Sequence, residues 1–344
     1  MLGSFLVELV AKDDPLTGLR YPLFTLLAAM AVTLLATPLV RRFAIGRGAI
    51  DDPTRDDRRV HTEPIPRWGG LAIFIGIAVA ILGILPFAYP FRPFPWYLLG
   101  LLGVSGVILA LGLVDDVKPL SAKVQMLILI AAGVLVQFIF DGAGRVQISG
   151  IGLPLGPGQE WLDFGWAAVP LTAIYLFVVT KTMDTLDGID GLAAGIASIA
   201  GGTLSIIAAY EGQPRVAIIA AAVAGSSIGF LRYNYNPAKI FMGTGGAQVL
   251  GFMLAALSIV GALKTAAALA LFIPILIFGV PFLDAVVVVV RRILGGHPVT
   301  QADKRHIHHV LLGKGLNQRQ AVWILYLLAL VLCGVLVTIV RSNG

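Results

Sequence analysis

Ten separate runs of apolar residues, each about as long as a membrane-spanning helix needs to be, dominate this 344-residue chain. A hydrocarbon core of roughly 30 Å requires about 20 consecutive apolar residues in a helix. The mean hydropathy of +0.89 and the charged fraction of 13% exclude a soluble globular domain. We therefore expect an all-α polytopic membrane protein of about ten transmembrane helices. The runs lie near residues 22–40, 69–87, 96–114, 124–140, 166–182, 192–210, 215–231, 248–263, 266–290 and 321–340.

The distribution of basic residues predicts which face of the membrane each loop occupies. The loops after the first, third, fifth, seventh and ninth runs carry 18 of the 25 Lys and Arg residues, and positively charged loops remain in the cytoplasm. We expect a single integral domain over residues 1–344, with both termini outside. Residues 1–11 are too short to span and are expected to form an interfacial helix. The loose spacing of Val146, Ile148 and Ile151 within residues 141–165 predicts a small extracytoplasmic hairpin.

Five short polar clusters interrupt the apolar pattern, all in or beside the five cytoplasmic loops. They hold acids, histidines, lysines and tight glycine turns, which together indicate a site for a metal ion and a phosphate. The basic residues are scattered, with few aromatic residues among them, so no nucleic acid is expected as a partner. The net charge of +6 instead favours membrane lipid and a phosphorylated substrate. The clusters occupy residues 61–70, 114–125, 180–192, 234–248 and 303–315.

Asp115 and Asp116 stand side by side at the inner end of the third run. Adjacent carboxylates repel each other and are costly near hydrocarbon unless a cation or a substrate neutralises them. Mg²⁺ is the simplest partner, because it prefers a few carboxylates together with phosphate oxygens and water. Lys118 and Lys123 are expected to take remaining phosphate charge. The alternative is a solvated helix end.

Three further carboxylates follow the fifth run. Asp184, Asp187 and Asp190 are spaced by three residues, so a helix would place each neighbouring pair on one face. Two Asp-Gly steps, at 187–188 and 190–191, favour a turn. Such a constrained backbone would present carboxylates at the membrane face. Pairing of Lys181 with Asp184 would instead indicate a structural ion pair.

The last two clusters are less specific. Glycines 243, 245 and 246 would let backbone amides approach a phosphate or a sugar, while the preceding Asn-Tyr-Asn-Pro is equally consistent with a capped turn. The spacing of the histidines near 306–309 does not match a zinc site, and Cys333 is the only cysteine. We interpret the histidines as anion-binding groups, the alternative being an ordinary basic loop.

In this order along the chain, the clusters resemble those of the polyprenyl-phosphate N-acetylhexosamine-1-phosphate transferases. The resemblance extends from HTEPIPRWGG to the last run, and residues 281–322 look like the undecaprenyl-phosphate GlcNAc-1-phosphate transferase branch. It implies transfer of a HexNAc 1-phosphate, expected to be GlcNAc 1-phosphate, from a UDP-HexNAc to polyprenyl phosphate, with release of UMP. Mg²⁺ is the implied cofactor. A multi-pass protein of a bacterial-type inner membrane is implied, with its active site on the cytoplasmic face and a lipid-linked product for the cell envelope.

The resemblance also implies roles for individual residues. Asp115 and Asp116 match the Asp-Asp motif and are expected to be catalytic and to bind the metal. Asp187 and Asp190 match the Asp-Gly-x-Asp-Gly motif beside the nucleotide. Further substrate contacts are expected from Arg67, Lys118, Lys123, Thr244 and the histidine motif, which comprises His306, His308 and His309.

Two departures from the family pattern matter. The family usually has Asn where this chain has Lys181 and Asp184, and it usually has Asp, regarded as a metal ligand, where this chain has Thr244. We hypothesise that the metal-binding charge has moved from position 244 to Asp184, and that the Thr244 hydroxyl still holds a metal-bound water. The alternatives are a catalytically impaired member that binds lipid phosphate or nucleotide sugar, and a membrane transporter. The sequence leaves open whether the protein is a homodimer.

Overall fold

The computed structural model describes residues 17–51, 64–89, 94–142, 144–153, 160–262, 279 and 307–343. Most of these residues are helical, which confirms the all-α polytopic class. The α-helices with both ends in the described part of the chain are α1 (Arg20–Gly46), α2 (Gly69–Ala88), α3 (Trp96–Val117), α4 (Ala122–Leu135), α5 (Ala168–Leu186), α6 (Leu192–Tyr210), α7 (Pro214–Asn234), α8 (Gly243–Ala262), α9 (Ile307–Gly313) and α10 (Gln318–Asn343).

Eight of the described helices are long and apolar enough to cross a membrane, namely all except α4 and α9. Helix α4 and the 3₁₀ turn Val136–Phe138 that follows it make up a shorter apolar helix. The run predicted near 266–290 and the interfacial helix predicted for residues 1–11 lie outside the described residues, apart from Gly279. The total of ten spans and their orientation therefore remain predictions.

Helix α8 is the centre of the bundle. Within its apolar span 89% of the residues are buried, compared with 28% in α1 and 33% in α10. A helix that is apolar on all sides is expected in such a central position. Because α8 begins at Gly243, the fold brings the fourth polar cluster to the middle of one end of the bundle.

Small residues let the helices approach one another closely. A Cβ atom on Gly225 of α7 would lie 2.1 Å from the carbonyl oxygen of Leu26 in α1. A Cβ atom on Gly195 of α6 would lie 2.0 Å from the hydroxyl of Tyr326 in α10. Association of helices in lipid depends on such close packing, because lipid provides no hydrophobic driving force between them.

Two short antiparallel strand pairs lie outside the helices. Strand β1 (Ile50–Asp51) pairs with β2 (Ile65–Pro66) and closes the loop between α1 and α2. Strand β3 (Gly150–Leu153) pairs with β4 (Glu160–Asp163), which confirms a hairpin between α4 and α5.

The hairpin begins later than the alternation of Val146 and Ile148 predicted. The backbone N–H of Ile148 donates to the Thr172 hydroxyl at 2.9 Å, and Val146 is buried. That segment is therefore tied to α5 and is not available to a partner strand. The hairpin lies at the end of the bundle opposite the junction of α3, α5 and α8, while its extracytoplasmic location remains a prediction.

Candidate active site

Three helices meet backbone to backbone at the polar end of the bundle. A Cβ atom on Gly70 of α2 would lie 2.2 Å from the Cα of Gly246, and one on Gly112 of α3 would lie 2.2 Å from the Cα of Gly245. Glycine at these four positions lets the start of α8 contact both α2 and α3. Close packing thus accounts for Gly245 and Gly246, which the sequence associated with a phosphate.

Backbone hydrogen bonds join the first polar cluster to the fourth. The amides of Gly69 and Gly70 donate to the carbonyls of Phe241 and Met242 at 2.9 and 2.8 Å. The amide of Phe241 donates in return to the carbonyl of Pro66 at 2.8 Å. This pairing fixes Arg67 and Trp68, the two residues between Pro66 and Gly69, beside the end of α3.

Trp68 shapes the same corner and was not identified from the sequence. It has a positive φ of 78°, which is rare for a large side chain and marks a strained backbone. Its indole N–H donates to the carbonyl of Leu113 in α3 at 3.1 Å, and its ring packs against Phe43. These contacts hold the segment that carries Arg67 against α3.

Asp116 is the buried carboxylate of the site, with a side chain that is 0% exposed. Its Oδ1 accepts the backbone N–H of Thr244 at 3.0 Å and lies 3.6 Å from an Nη atom of Arg67. Its Oδ2 is buried and has no hydrogen-bond partner among the described residues. A Cβ atom on Gly243 would lie 2.3 Å from Oδ2, so only glycine leaves room there. A buried carboxylate oxygen without a donor suits a bound cation.

Asp115 is held differently from its neighbour. Its Oδ1 accepts the backbone N–H of Leu120 at 2.7 Å and the amide of Gln125 at 3.0 Å. Both donors belong to the turn after α3 or to the start of α4. The two adjacent carboxylates are therefore in separate environments and are not a symmetrical pair.

Lys181 and Asp184 form the ion pair that the sequence analysis held as an alternative. The Lys181 ammonium lies 2.5 Å from Oδ2 of Asp184 and donates to Oε1 of Gln125 at 2.8 Å. The side-chain amide of Gln248 lies 3.5 Å from the same Asp184 oxygen. Neither Gln125 nor Gln248 was identified from the sequence, where a single glutamine carries no distinctive spacing.

Asp187 directly follows α5, in a dense group of acids. Burial raises the pKa of its carboxyl well above the usual range, and the charges of Asp184 and Asp116 raise it further. Arg67 opposes this effect. Asp116, Asp184 and Asp187 thus outnumber the neighbouring basic residues Arg67 and Lys181, and an added cation would stabilise their ionised forms.

Asp190 is buried and orders the Asn-Pro turn. Its Oδ2 accepts the Asn236 side-chain amide at 2.9 Å and the backbone N–H of Ala238 at 3.0 Å. Nearby, Asn234 accepts the backbone N–H of Gly191 at 3.1 Å. These contacts fit the capped turn that the sequence analysis considered for this segment.

The remaining predicted residues lie outside this network or outside the described residues. Lys118 follows α3 and Lys123 lies in the first turn of α4, and both are exposed. His306 lies outside the described residues, and at His308 and His309 only the backbone of α9 is described. The structure thus groups Arg67, Asp115, Asp116, Asp184, Asp187 and Thr244, and leaves the histidines as a prediction.

No group of three or more His, Cys, Asp or Glu side chains in the described part of the chain is arranged as a metal site. Mg²⁺ does not need one, because it binds through one or two carboxylates, substrate phosphates and water. Oδ2 of Asp116 and the Asp184 carboxylate fit that requirement.

Comparison with known proteins gives consistent matches. Residues 98–262 match glycosyl transferase family 4. The chain is 36% identical to a probable undecaprenyl-phosphate N-acetylglucosaminyl 1-phosphate transferase of Bacillus subtilis, over 89% of this chain and 81% of the relative. It is also 36% identical to a decaprenyl-phosphate N-acetylglucosaminephosphotransferase of Mycolicibacterium smegmatis, over 90% and 81%.

A more distant relative is the undecaprenyl-phosphate alpha-N-acetylglucosaminyl 1-phosphate transferase of Escherichia coli, 26% identical over 90% of this chain and 82% of the relative. The family match covers α3 to α8, which carry Asp116, Asp184 and Thr244. The matches to the Bacillus and Mycolicibacterium proteins extend over most of both chains. The chain therefore belongs to the polyprenyl-phosphate N-acetylhexosamine-1-phosphate transferases of glycosyl transferase family 4.

Proposed function

We propose that the protein transfers GlcNAc 1-phosphate from UDP-GlcNAc to polyprenyl phosphate, releasing UMP, at the cytoplasmic face of a bacterial-type inner membrane. Family membership makes the chain a membrane glycosyl-1-phosphate transferase. The observation that carries the finer proposal is the buried Asp116 carboxylate, where α3 meets the start of α8; one of its oxygens has no hydrogen-bond partner in the described part of the chain.

Mg²⁺ is the cofactor that this arrangement would accept. Members of the family are metal-dependent in general. Asp116 would hold the ion through Oδ2, and Asp184 would hold it through the oxygen not paired with Lys181. When bound, Mg²⁺ would neutralise the diphosphate and the leaving UMP. Thr244 would hold a metal-bound water through its hydroxyl.

The lipid phosphate is the nucleophile in this proposal. A phosphate monoester has a second pKa of about 6, so it is largely dianionic at neutral pH and needs no strong base. One of its oxygens attacks the β-phosphorus of the UDP-sugar and forms the new P–O bond. The bond from the β-phosphorus to the bridging oxygen breaks, and UMP leaves with that electron pair.

The residues around Asp116 orient the two substrates. Asp115 is fixed through Oδ1 by Leu120 and Gln125, which leaves Oδ2 to orient the lipid phosphate or to accept a residual proton. Arg67 supplies positive charge beside Asp116. We assign the remaining substrate contacts to Lys118, Lys123, Asp187, Asp190 and the three histidines His306, His308 and His309.

The direct test is an assay of the purified protein with undecaprenyl phosphate and a panel of UDP-HexNAc donors, with UMP release as the readout. We expect release with UDP-GlcNAc in the presence of Mg²⁺ and none from Asp116→Asn. UMP release with a different donor in place of UDP-GlcNAc would show that another sugar 1-phosphate is transferred. Substrate binding without UMP release would instead identify a catalytically impaired member, as the absence of a carboxylate at Thr244 allows.

A further inference from the structure

A chain of hydrogen bonds joins two carboxylates of the site through Lys181. Its ammonium donates to Asp184 at 2.5 Å and to Oε1 of Gln125 at 2.8 Å. The side-chain amide of Gln125 donates in turn to Asp115 at 3.0 Å. The cation is therefore held between α4 and α5 by two partners and is fixed in position.

The Lys181 ammonium contacts the Asp184 carboxylate directly. The Asp184 side chain is 14% exposed and that of Lys181 is 40% exposed, so the pair is not fully screened by solvent. Oδ2 of Asp184 also lies 3.5 Å from the amide of Gln248. Asp184 thus has one oxygen already neutralised and offers a divalent cation less negative charge than a free carboxylate would.

A bound diphosphate would change the net charge around Lys181 and Asp184. The ammonium repels a second cation a few ångströms away, and the repulsion is strong where water is partly excluded. The diphosphate of a nucleotide sugar brings its own negative charge and phosphate oxygens, which are preferred Mg²⁺ ligands. Metal and nucleotide are then each bound more tightly in the presence of the other.

We propose that Lys181 is a fixed internal counter-ion that keeps the affinity of the empty site for Mg²⁺ low, so that Mg²⁺ enters together with the nucleoside diphosphate. The inference rests on the magnesium site proposed above. Lys181 is a positioning residue here, because it acts on Asp184. Gln125 keeps the ammonium in place and links it to Asp115.

The test is a Mg²⁺ titration of the purified full-length protein by calorimetry and thermal unfolding, with and without UDP. In the wild type we expect UDP to strengthen Mg²⁺ binding by about tenfold or more. Lys181→Asn should bind Mg²⁺ without UDP about tenfold more tightly than the wild type, and its dependence on UDP should shrink. Lys181→Arg keeps the charge and should behave as the wild type.

Lys239→Asn is the matched control, since it removes one exposed positive charge and is expected to leave Mg²⁺ affinity near that of the wild type. Equal Mg²⁺ affinity in Lys181→Asn and the wild type overturns the proposal. Mg²⁺ binding by the wild type that is as tight without UDP as with it overturns the proposal as well. If Lys181→Asn does not fold, Gln125→Leu is used, because it releases one contact of the ammonium and should give an intermediate affinity. These readouts need no turnover, so a failed transfer assay does not affect them.

Discussion

The backbone amide of Thr244 donates a 3.0 Å hydrogen bond to the buried carboxylate of Asp116, although the two residues are 128 positions apart in sequence. This contact places the first turn of α8 against the inner end of α3. The N-terminus of α8 therefore faces the Asp116 carboxylate, and the positive end of a helix dipole favours an adjacent negative charge.

Gly243, which precedes Thr244, is required for that contact. Its φ is +77°, and a Cβ atom there would lie 2.3 Å from Oδ2 of Asp116. Gly243→Ala should cost about 1–2 kcal/mol of folding free energy from the backbone alone, and it should lower transfer further by displacing the carboxylate. UMP release and thermal unfolding measure the two effects.

Gly103→Ala is the control for this substitution. Gly103 lies in α3, where an added Cβ atom would have no neighbour within 4 Å among the described residues. This variant should keep both activity and stability. Wild-type transfer by Gly243→Ala would show that Asp116 has room to move without loss of function.

Much of the fold could be predicted from the sequence because each apolar run is a local signal. The start of α7 at Pro214 and the turn after Asp187 follow from residue types whose backbone preferences are known. The contact of Gly112 with Gly245 could not be predicted, because it depends on how distant helices pack.

The acidic residues of the candidate site could be predicted from the sequence, whereas the uncharged residues around them could not. Asp116 and Asp184 were evident because a carboxylate beside an apolar run is costly. Gln125 and Gln248 were missed, since one glutamine beside an apolar run has no distinctive spacing. Trp68 was missed because its left-handed backbone is a consequence of tertiary packing.

Arg67 is expected to stabilise the fold as well as bind substrate. Its guanidinium lies 2.5 Å from Asp51 and 3.6 Å from Asp116, and both of these side chains are buried. Arg67→Gln should lower the free energy of unfolding by about 3 kcal/mol, because it removes positive charge between two buried carboxylates. Arg67→Lys should lower it less, since lysine keeps the charge but loses the planar fork.

Chemical denaturation in detergent measures these changes. Arg341→Gln, which removes an exposed arginine at the end of α10, serves as the matched control and should have little effect. If Arg67→Gln is as stable as Arg341→Gln, the two ion pairs contribute nothing to folding.

The predicted orientation can be tested with two serines at opposite ends of the bundle. Ser121 caps the start of α4 on the side of Asp115, and Ser149 directly precedes β3 of the hairpin. In a Cys333→Ser background, a membrane-impermeant maleimide should label Ser149→Cys in intact cells. The maleimide should label Ser121→Cys only after the membrane is permeabilised. The reverse pattern would invert the orientation, and labelling of both in intact cells would reject it.

The relocation of the metal-binding charge gives the most specific prediction. Asp184 lies beside Gln248, one helical turn after Thr244 in α8, so positions 184 and 244 both border the Asp116 region. Asp184→Asn should reduce Mg²⁺-dependent transfer by about a hundredfold or more, because a neutral amide forfeits several kcal/mol of charge stabilisation. Asp163→Asn, at the hairpin end, is the matched control and should retain activity.

Restoring the family's usual Asn at position 184 and Asp at position 244 should then recover activity. The double variant Asp184→Asn with Thr244→Asp returns a carboxylate to the start of α8 and should regain part of the lost transfer. In that variant Lys181 has lost its anionic partner, so adding Lys181→Asn should increase the recovery by removing an unpaired positive charge near the metal. UMP release across a Mg²⁺ titration distinguishes the outcomes. Full activity in Asp184→Asn refutes relocation, whereas loss without any recovery in the double and triple variants shows that Asp184 is needed for a reason other than its charge.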